Sequence, residues 1–174
     1  MTSHVDSGPG SISAEEYISY LKLQPLDREG GWYRETWRSN ETIQLSSHNG
    51  LRSVATTIYY LLNIGQHSRL HYLPGPEIYC HHAGAPLSIL LLGESDYPDG
   101  REVVLGKNVV QGEVPQLLIN GGVIQAANPM GVPGWSLVST YMSPGFEFED
   151  YKEPDLDALM SRYPNHQSRI LRHK

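Results

Sequence analysis

The hydrophobic residues of this chain fall into short runs rather than long helical stripes. From residue 31 onward, β-branched, aromatic and aliphatic residues form brief groups, and Gly, Pro, Asn and Asp separate one group from the next. This pattern predicts a succession of short β-strands. The predicted strands are residues 31–38, 54–62, 71–73, 77–82, 87–92, 102–105, 116–119, 123–126 and 135–142.

Helical spacing is confined to the two ends of the chain. Ser13 and Glu16 form a Ser-x-x-Glu capping box, and apolar residues then recur at helical spacing until about Pro25. A second helix is predicted over residues 154–162, which begin with acidic side chains. Because a parallel α/β fold needs helices between its strands, the pattern predicts an all-β protein. Many short strands favour a closed or double-sheet design whose alternate side chains face an interior.

The length of 174 residues fits one domain. We expect this domain to span residues 13–163, after a Ser/Gly/Pro-rich and disordered segment at 1–12 and before a basic C-terminal tail at 164–174.

Composition excludes several classes of function. The net charge of −6, without a basic cluster outside the C-terminal end, argues against a nucleic-acid partner. No apolar run approaches the ~20 residues that a membrane-spanning helix needs, and the first residues do not resemble a signal peptide. The single cysteine, Cys80, permits no internal disulfide. We therefore expect a cytoplasmic protein with neither nucleic-acid nor membrane partners.

The clearest candidate chemistry lies between Gly65 and Gly84. Gly65, His71, Glu77 and Gly84 have the spacing of the first cupin motif, in which two strands joined by a turn present ligands to one metal. The segment therefore resembles a cupin. It departs from the motif at the second histidine position, which is Leu73.

Residues 120–125 resemble the second cupin motif in a reduced form. Its glycine is present as Gly122, but its histidine position holds Gln125. Since a transition metal normally takes three or more imidazole, carboxylate or thiolate ligands, we expect no tightly held metal and no other cofactor. The alternative is a divalent transition metal, for which the resemblance implies His71, Glu77 and Gln125 as ligands.

A longer resemblance extends from Gly30 to Tyr151. Its pieces include GGWYRETWRS, TTIYYLL, the His-x5-Glu-Ile-Tyr of residues 71–79 and PGFEFED near the end, in an order similar to that of the "cupin-5" family. The resemblance implies a cupin jelly-roll β-barrel with short N- and C-terminal helices, usually dimeric, with a small-molecule pocket. This chain reads Tyr79-Cys80 where the family commonly has Trp-His.

These patterns define a candidate site inside the barrel. We expect His71 and Glu77 to be catalytic acid/base groups that point into a mostly apolar cavity. The expected substrate-binding residues are Tyr59, Tyr79, His81, Gln125 and Tyr141, with Arg34 or Trp37 near the mouth. The alternative is structural: His71 and Glu77 would form a buried hydrogen-bonded pair, and the aromatic residues would be core or dimer contacts.

Three functions remain open from the sequence. The first is a metal-independent isomerase, lyase or cyclase acting on a small organic molecule by proton transfer. The second is a metal-dependent cupin oxygenase or decarboxylase, and the third is a non-catalytic protein that binds a sugar- or nucleotide-like ligand. We also expect a homodimer, because an open edge strand is a hazard unless it is paired, with residues 31–39 as the candidate pairing strand.

Overall fold

The computed structural model describes residues 12–174, whose strands form two antiparallel sheets and a separate hairpin. The predicted disordered segment 1–12 therefore lies, except for Ile12, outside the described residues. The strands are β1 (Gln24–Pro25), β2 (Trp32–Arg38), β3 (Thr42–Gln44), β4 (Leu51–Ser53), β5 (Thr56–Leu62), β6 (Ser68–His71), β7 (Glu77–Gly84), β8 (Leu87–Gly93), β9 (Tyr97–Leu105), β10 (Gln116–Ile119), β11 (Ile124–Pro129) and β12 (Ser136–Met142). The α-helices are α1 (Ala14–Tyr20), α2 (Leu156–Arg162) and α3 (Gln167–Arg172).

The two sheets pack face to face as a jelly-roll barrel, as predicted. The larger sheet has the order β1-β2-β5-β12-β7-β10, and the smaller has the order β6-β11-β8-β9. Tyr60 and Tyr79 of the larger sheet pack against Ile89 and Leu91 of the smaller one in the main hydrophobic core. This packing fills one part of the interior and leaves the part beside β6 and the start of β7 open.

Strand β8 is buried along almost its whole length because both of its faces are covered. Leu87, Ile89 and Leu91 belong to the core inside the barrel. Leu90 and Leu92 point the other way and pack with Leu159, Tyr163 and Ile170 of the C-terminal segment. A continuous apolar run in the sequence thus reflects a strand sandwiched between the core and a layer of helices.

The predicted capping box at the start of α1 is confirmed. The Ser13 hydroxyl accepts from the Glu16 backbone N–H, and the Glu16 carboxylate accepts from the Ser13 backbone N–H. Ala14 and neighbouring apolar residues of α1 then pack on Leu61 and Leu137, on the outer face of the larger sheet. The helix therefore covers one end of that face.

The largest differences between the predicted and observed strands concern β6, β9 and the β3–β4 hairpin. Strand β6 ends at His71, where residues 71–73 were predicted, because Tyr72 has only an isolated bridge, to Lys152. Strand β9 begins at Tyr97 rather than at residue 102. The β3–β4 hairpin was missed because its strands are short and largely exposed, so they carry little hydrophobic periodicity.

The predicted C-terminal tail is instead part of the packed domain. Residues 164–174 contain a 3₁₀ turn and α3, and the side chains of Ile170 and His173 are fully buried. Arg169 donates to the Asn128 amide oxygen and to the Ser88 hydroxyl, which ties α3 to the smaller sheet. None of the helices in residues 12–174 is long and apolar enough to cross a membrane.

His173 sits where this C-terminal segment meets β6. Its Nδ1 lies 3.1 Å from the Ser68 carbonyl oxygen, and its ring meets the ring of His67 edge to face at 5.3 Å. Burial, together with the positive charge of Arg169, lowers the pKa of His173 to about 4 against the opposing effect of the Ser68 hydrogen bond. The imidazole is therefore neutral in the folded protein at neutral pH.

This histidine should make the fold sensitive to acid. The pKa of His173 is about 4 in the folded state, against an ordinary value of 6.5, so the unfolded chain binds a proton more tightly than the folded protein does. The contribution of His173 to the free energy of unfolding is therefore fully present above about pH 6.5 and is lost as the pH drops toward 4. When the pH is lowered from about 7.5 to 4.5, we expect the free energy of unfolding of the wild type to fall by about 2–3 kcal/mol more than that of a His173→Gln variant. Urea unfolding of both proteins at the two pH values measures this difference, and equal losses would contradict the prediction.

Candidate functional site

The open part of the barrel interior is a cavity of about 270 Å³. His71 comes from the smaller sheet and Glu77 from the larger one, so the cavity lies between the two sheets. Its wall also includes a set of apolar side chains: Leu26, Ile58, Leu73, Met142 and Phe146. A mostly apolar cavity with a few convergent polar groups is the usual form of a small-molecule site.

His71 is held in one orientation by two contacts. Its Nδ1 lies 2.8 Å from the backbone carbonyl oxygen of Arg69, so this nitrogen carries the proton and donates it. The ring stacks on that of Tyr151 at a centroid distance of 4.8 Å and an interplanar angle of 16°. The Nε2 atom has no hydrogen-bond partner among residues 12–174. When the ring is neutral, Nδ1 holds the proton and Nε2 can accept one from a ligand in the cavity.

Glu77 begins β7 and is 7% exposed. Gln125 of β11 donates from its Nε2 to the Glu77 Oε2 at 2.8 Å, and Gln125 is itself paired with His71 across the β6–β11 ladder. Burial raises the pKa of Glu77, and the negative charge of Glu29 raises it further, against the opposing effects of His71, Gln125 and Thr140. The carboxyl group is thus poised to hold a proton closer to neutral pH than an exposed glutamate.

Residues 145–151, which we call the strap, supply the wall opposite the sheets. Phe146, Glu147, Phe148 and Tyr151 of the strap all line the cavity. The rings of Phe146 and Phe148 meet edge to face at 5.2 Å. The strap therefore places aromatic surface over the cavity and sets Tyr151 against His71.

Arginine side chains hold the strap in place. Arg52 makes a bidentate pair with Asp150 at 2.7 and 2.8 Å, and both side chains are almost fully buried. Arg38 donates to the Phe146 carbonyl oxygen at 3.0 Å, and Arg28 donates to the carbonyl oxygen of residue 148 at 3.2 Å. Because Asp150 precedes Tyr151, the buried ion pair fixes the position from which that ring packs on His71.

Four of the expected binding residues lie outside the barrel. The side chains of Tyr59, Tyr141, Arg34 and Trp37 are on the outer face of the larger sheet. Trp37 is 52% exposed and Tyr141 is 41% exposed. The Arg34 guanidinium instead lies over the Tyr59 ring at 5.7 Å. The physical reason is strand parity, since on β5 it is Ile58 and Tyr60 that pack in the barrel core.

Tyr79 and His81 do face the interior, but they are not part of the cavity wall. Tyr79 is 2% exposed and belongs to the main hydrophobic core. The His81 Nε2 lies 3.0 Å from the Ala85 carbonyl oxygen. Both residues therefore fill the packed part of the barrel, and the structure brings together only His71, Glu77 and Gln125 from the expected set.

Several polar residues of the cavity were not predicted from the sequence, namely Arg28, Glu29, Tyr33, Glu35, Arg38 and Tyr151. A bulge in β2 between Glu35 and Trp37 shifts the register, so Glu35 and Arg38 both reach the cavity while Trp37 turns outward. The alternation of Tyr33 and Glu35 along β2 could have indicated that both side chains face the cavity. The bulge in β2 and the loop positions of Arg28 and Glu29 have no corresponding pattern in the sequence.

The donor atoms of this site do not fit a tightly held transition metal. Among residues 12–174, no group of three or more His, Cys, Asp or Glu side chains is arranged to hold a metal ion. Leu73, at the second histidine position, packs with Met142 and Tyr151 in a small apolar cluster. His71 and Glu77 are then the strong donors, with the amide of Gln125 a weak third. The expectation of no tightly bound metal stays a prediction that elemental analysis can check.

The fold and the site together define a class. A single jelly-roll barrel with His71, Glu77 and Gln125 at cupin ligand positions around an interior cavity is a small cupin. Residues 15–153 match the family described as "Cupin superfamily (DUF985)", and the chain belongs to this family. The resemblance seen in the sequence is therefore confirmed.

Solved structures of other proteins are similar to this chain along most of its length. A hypothetical protein from Leishmania major is 32% identical, with a TM-score of 0.82 over 93% of this chain and 98% of that one. A protein from Shewanella oneidensis is also 32% identical, with a TM-score of 0.80 over 94% of this chain and 98% of that one. A variant of oxalate decarboxylase from Bacillus subtilis shares the fold alone, at 11% identity and a TM-score of 0.55 over 89% of this chain and 38% of that one. A search of curated protein sequences found no match.

Proposed function

We propose that the barrel cavity is the active site of a metal-independent enzyme that moves a proton on a small organic molecule, as an isomerase, lyase or cyclase does. The observation that carries this proposal is that His71 and Glu77 both line the cavity. The Nε2 of His71 has no hydrogen-bond partner among residues 12–174, and burial raises the pKa of Glu77. A base and an acid in one mostly apolar cavity are the parts that general acid–base catalysis needs.

The assigned roles follow from the hydrogen bonds. Because Nδ1 of His71 donates to the Arg69 carbonyl oxygen, Nε2 is the atom that removes a proton from the substrate. Glu77, whose pKa burial raises and whose Oε2 accepts from Gln125, is the group that delivers a proton to the substrate. Tyr151 packs flat on the imidazole and acts as a positioning residue.

A solvent-exchange experiment tests this function and does not require an identified substrate. The protein is incubated in D₂O with a panel of small ketones and aldehydes, and deuterium at the carbon beside the carbonyl group is measured by NMR. A proton-transfer enzyme exchanges this hydrogen faster than buffer alone for the compounds that it accepts. Exchange at the buffer rate across the panel would contradict the proposal.

A non-catalytic binding protein is the second candidate, because the cavity is well formed and largely apolar. It predicts saturable binding of a small molecule with no exchange or turnover. The same panel distinguishes the two, since binding and deuterium uptake are measured on the same samples.

We also propose that the protein is a homodimer. The N-terminal half of β2 is paired with β1 through Trp32 and Tyr33, so the stretch from Arg34 to Arg38 has a partner on one side only among the described strands. An open edge of this kind favours pairing with a second copy.

An apolar row on the outer face of the larger sheet also supports a dimer. Trp37 of β2 lies opposite Thr57 of β5, which in turn lies opposite Tyr141 of β12. On the next strands, Tyr141 lies opposite Ile78 and Ile78 opposite Leu118. Residues directly opposite in antiparallel strands share one face. Trp37, Tyr141 and Leu118 are all exposed, so the row offers apolar surface for a second copy.

A Trp37→Asp variant should therefore be monomeric while the wild type is dimeric. The aspartate would place a charge on the apolar row, and a charge at the centre of an interface opposes association. Sedimentation equilibrium at micromolar concentration measures the state, and Trp37→Phe serves as the control that keeps an aromatic ring. A wild type that is monomeric under these conditions would contradict the proposal.

A further inference from the structure

The ionisable groups of the cavity are unbalanced in charge. Its wall contains more carboxylates than guanidinium groups: Glu29, Glu35, Glu77 and Glu147 against Arg28 and Arg38. The kind of ligand that this site accepts therefore depends on which of the two arginines is free to bind an anion.

Arg38 has no free donor. Its Nε donates to Glu35, its Nη1 to Glu147 and Ser53, and its Nη2 to Glu35 and the Phe146 carbonyl oxygen. A guanidinium has five N–H groups, and these contacts occupy all of them. An anionic ligand could reach Arg38 only by displacing one of its present partners.

Arg28 is exposed and lies at the outer part of the cavity. Its Nη1 donates to the Phe148 carbonyl oxygen, and its guanidinium lies over the Tyr151 ring at 5.0 Å. It is thus engaged with the strap, and within residues 12–174 neither arginine forms a salt bridge with Glu29 or Glu77.

Glu29 is the opposite case, a carboxylate without a cation. It is half-buried, it lines the cavity, and it accepts a hydrogen bond from the Ser68 hydroxyl at 2.7 Å. It forms no salt bridge with the residues in the described part of the chain. A half-buried carboxylate without a counter-charge attracts a cation more strongly than one in open water, so a cation at this position would be stabilised.

The rest of the wall suits the body of an organic cation. Tyr33, Phe146 and Tyr151 line the cavity together with Glu29. Aromatic faces attract ammonium groups when the cation is shielded from water. The cavity volume of about 270 Å³ equals that of about nine water molecules, enough for one ring with a short side chain.

We propose that Glu29 is the anchor for an ammonium group, and that the substrate of this cavity is a small organic amine with an apolar body. This inference rests on the proposed function in so far as it names a substrate. The binding of the cation itself depends only on the cavity.

Cation binding would also act on the chemistry at the neighbouring carboxyl. The negative charge of Glu29 helps to raise the pKa of Glu77. An ammonium at Glu29 would offset this charge and make Glu77 a stronger acid when the substrate is in place. Substrate binding and proton delivery would then be coupled through one residue.

Matched compounds of one shape test the inference. Binding of benzylamine, benzyl alcohol and benzoate is measured by calorimetry at pH 7, together with a set of aliphatic amines and their alcohol and carboxylate counterparts. We expect amines to bind about tenfold or more tightly than the alcohols, since hydrogen bonds to charged groups are the stronger ones. We expect the carboxylates to bind most weakly.

The Glu29→Gln variant should lose this preference. The Gln side chain can still accept from Ser68, so the local structure is retained, and a thermal melt checks this. Glu94→Gln, which removes an exposed carboxylate away from the cavity, is the control and should behave as the wild type. The inference is wrong if carboxylates bind as well as amines, if none of the amines binds, or if Glu29→Gln keeps the full preference. Because the readout is binding, the cation site is judged separately from the proton-transfer function: amine selectivity would leave it standing even if the ketones and aldehydes showed no deuterium exchange.

Discussion

Replacing His71 by alanine is expected to reduce deuterium exchange on an accepted substrate by about 10²–10⁴-fold, the usual contribution of a general base. The reason is that Nδ1 of His71 donates to the Arg69 carbonyl oxygen, which leaves Nε2 as the nitrogen that can accept a proton. Glu77→Gln should cause a loss of similar size. Its side chain keeps the shape and can still accept from Gln125, but it cannot deliver a proton. NMR exchange rates of the purified variants provide the measurement.

His82→Ala is the matched control for these two variants. His82 is in the same strand as Glu77, but it is exposed and lies 2.9 Å from the Ser139 hydroxyl on the outside of the barrel. Its removal should leave exchange unchanged. If the His71 and Glu77 variants stay folded and keep the full rate, the acid–base assignment is wrong, and the shape of the cavity must carry the function.

The second large effect is expected on stability, at the ion pair that anchors the strap. Asp150→Asn should lower the free energy of unfolding by about 1–3 kcal/mol, because it removes the carboxylate that makes both close hydrogen bonds to the Arg52 guanidinium. Both side chains are nearly inaccessible, at 4% and 6% exposure. Urea unfolding followed by circular dichroism measures the change. Since Tyr151 is the next residue, we also expect the Asp150→Asn protein to lose exchange activity at temperatures where it remains folded.

The Glu149→Gln variant tests whether the loss of stability comes from the buried contact itself or from the removal of any negative charge near Arg52. Glu149 lies 3.8 Å from the same arginine, but its side chain is 81% exposed, and exposed ion pairs contribute about 0–1 kcal/mol. The variant should therefore be close to wild type. A double variant, Arg52→Met with Asp150→Leu, should recover much of the lost stability, since replacing a whole buried pair by apolar residues is often neutral. Near-wild-type stability of Asp150→Asn would contradict this account.

Two glycines of the cupin-motif resemblance occupy backbone positions that require glycine. Gly84 and Gly122, both part of the resemblance to the cupin motifs, adopt φ angles of +82° and +83°. At Gly84 a Cβ atom would overlap the backbone oxygen of Trp135. Only glycine adopts such angles without strain. The motif spacing thus encoded real backbone geometry even where a ligand residue was replaced, and it placed His71 and Glu77 in the same cavity.

Strand faces were harder to assign than strand positions. Alternation along β7 correctly put Glu77, Tyr79 and His81 on the inner face, because one strand alternates strictly. For β5 and β12 the choice of face was wrong at Tyr59 and Tyr141. Both faces of the larger sheet carry apolar residues, some facing the core and some facing α1 or the apolar row, so hydrophobicity does not say which face points inward.

Local patterns in the sequence therefore determined the all-β class, the N-terminal helix with its capping box, the family and the presence of His71 and Glu77 at ligand positions. These features depend on short-range periodicity, turn residues and spacing, which are properties of neighbouring residues. The tertiary structure alone decided that β2 bulges so that Arg38 reaches the cavity, that the strap closes over His71 through Tyr151, and that Glu29 faces the cavity without a counter-charge. Each of these features depends on contacts between residues far apart in the chain, such as Arg52 with Asp150. Such contacts do not produce a local pattern in the sequence, so they could not be predicted from it.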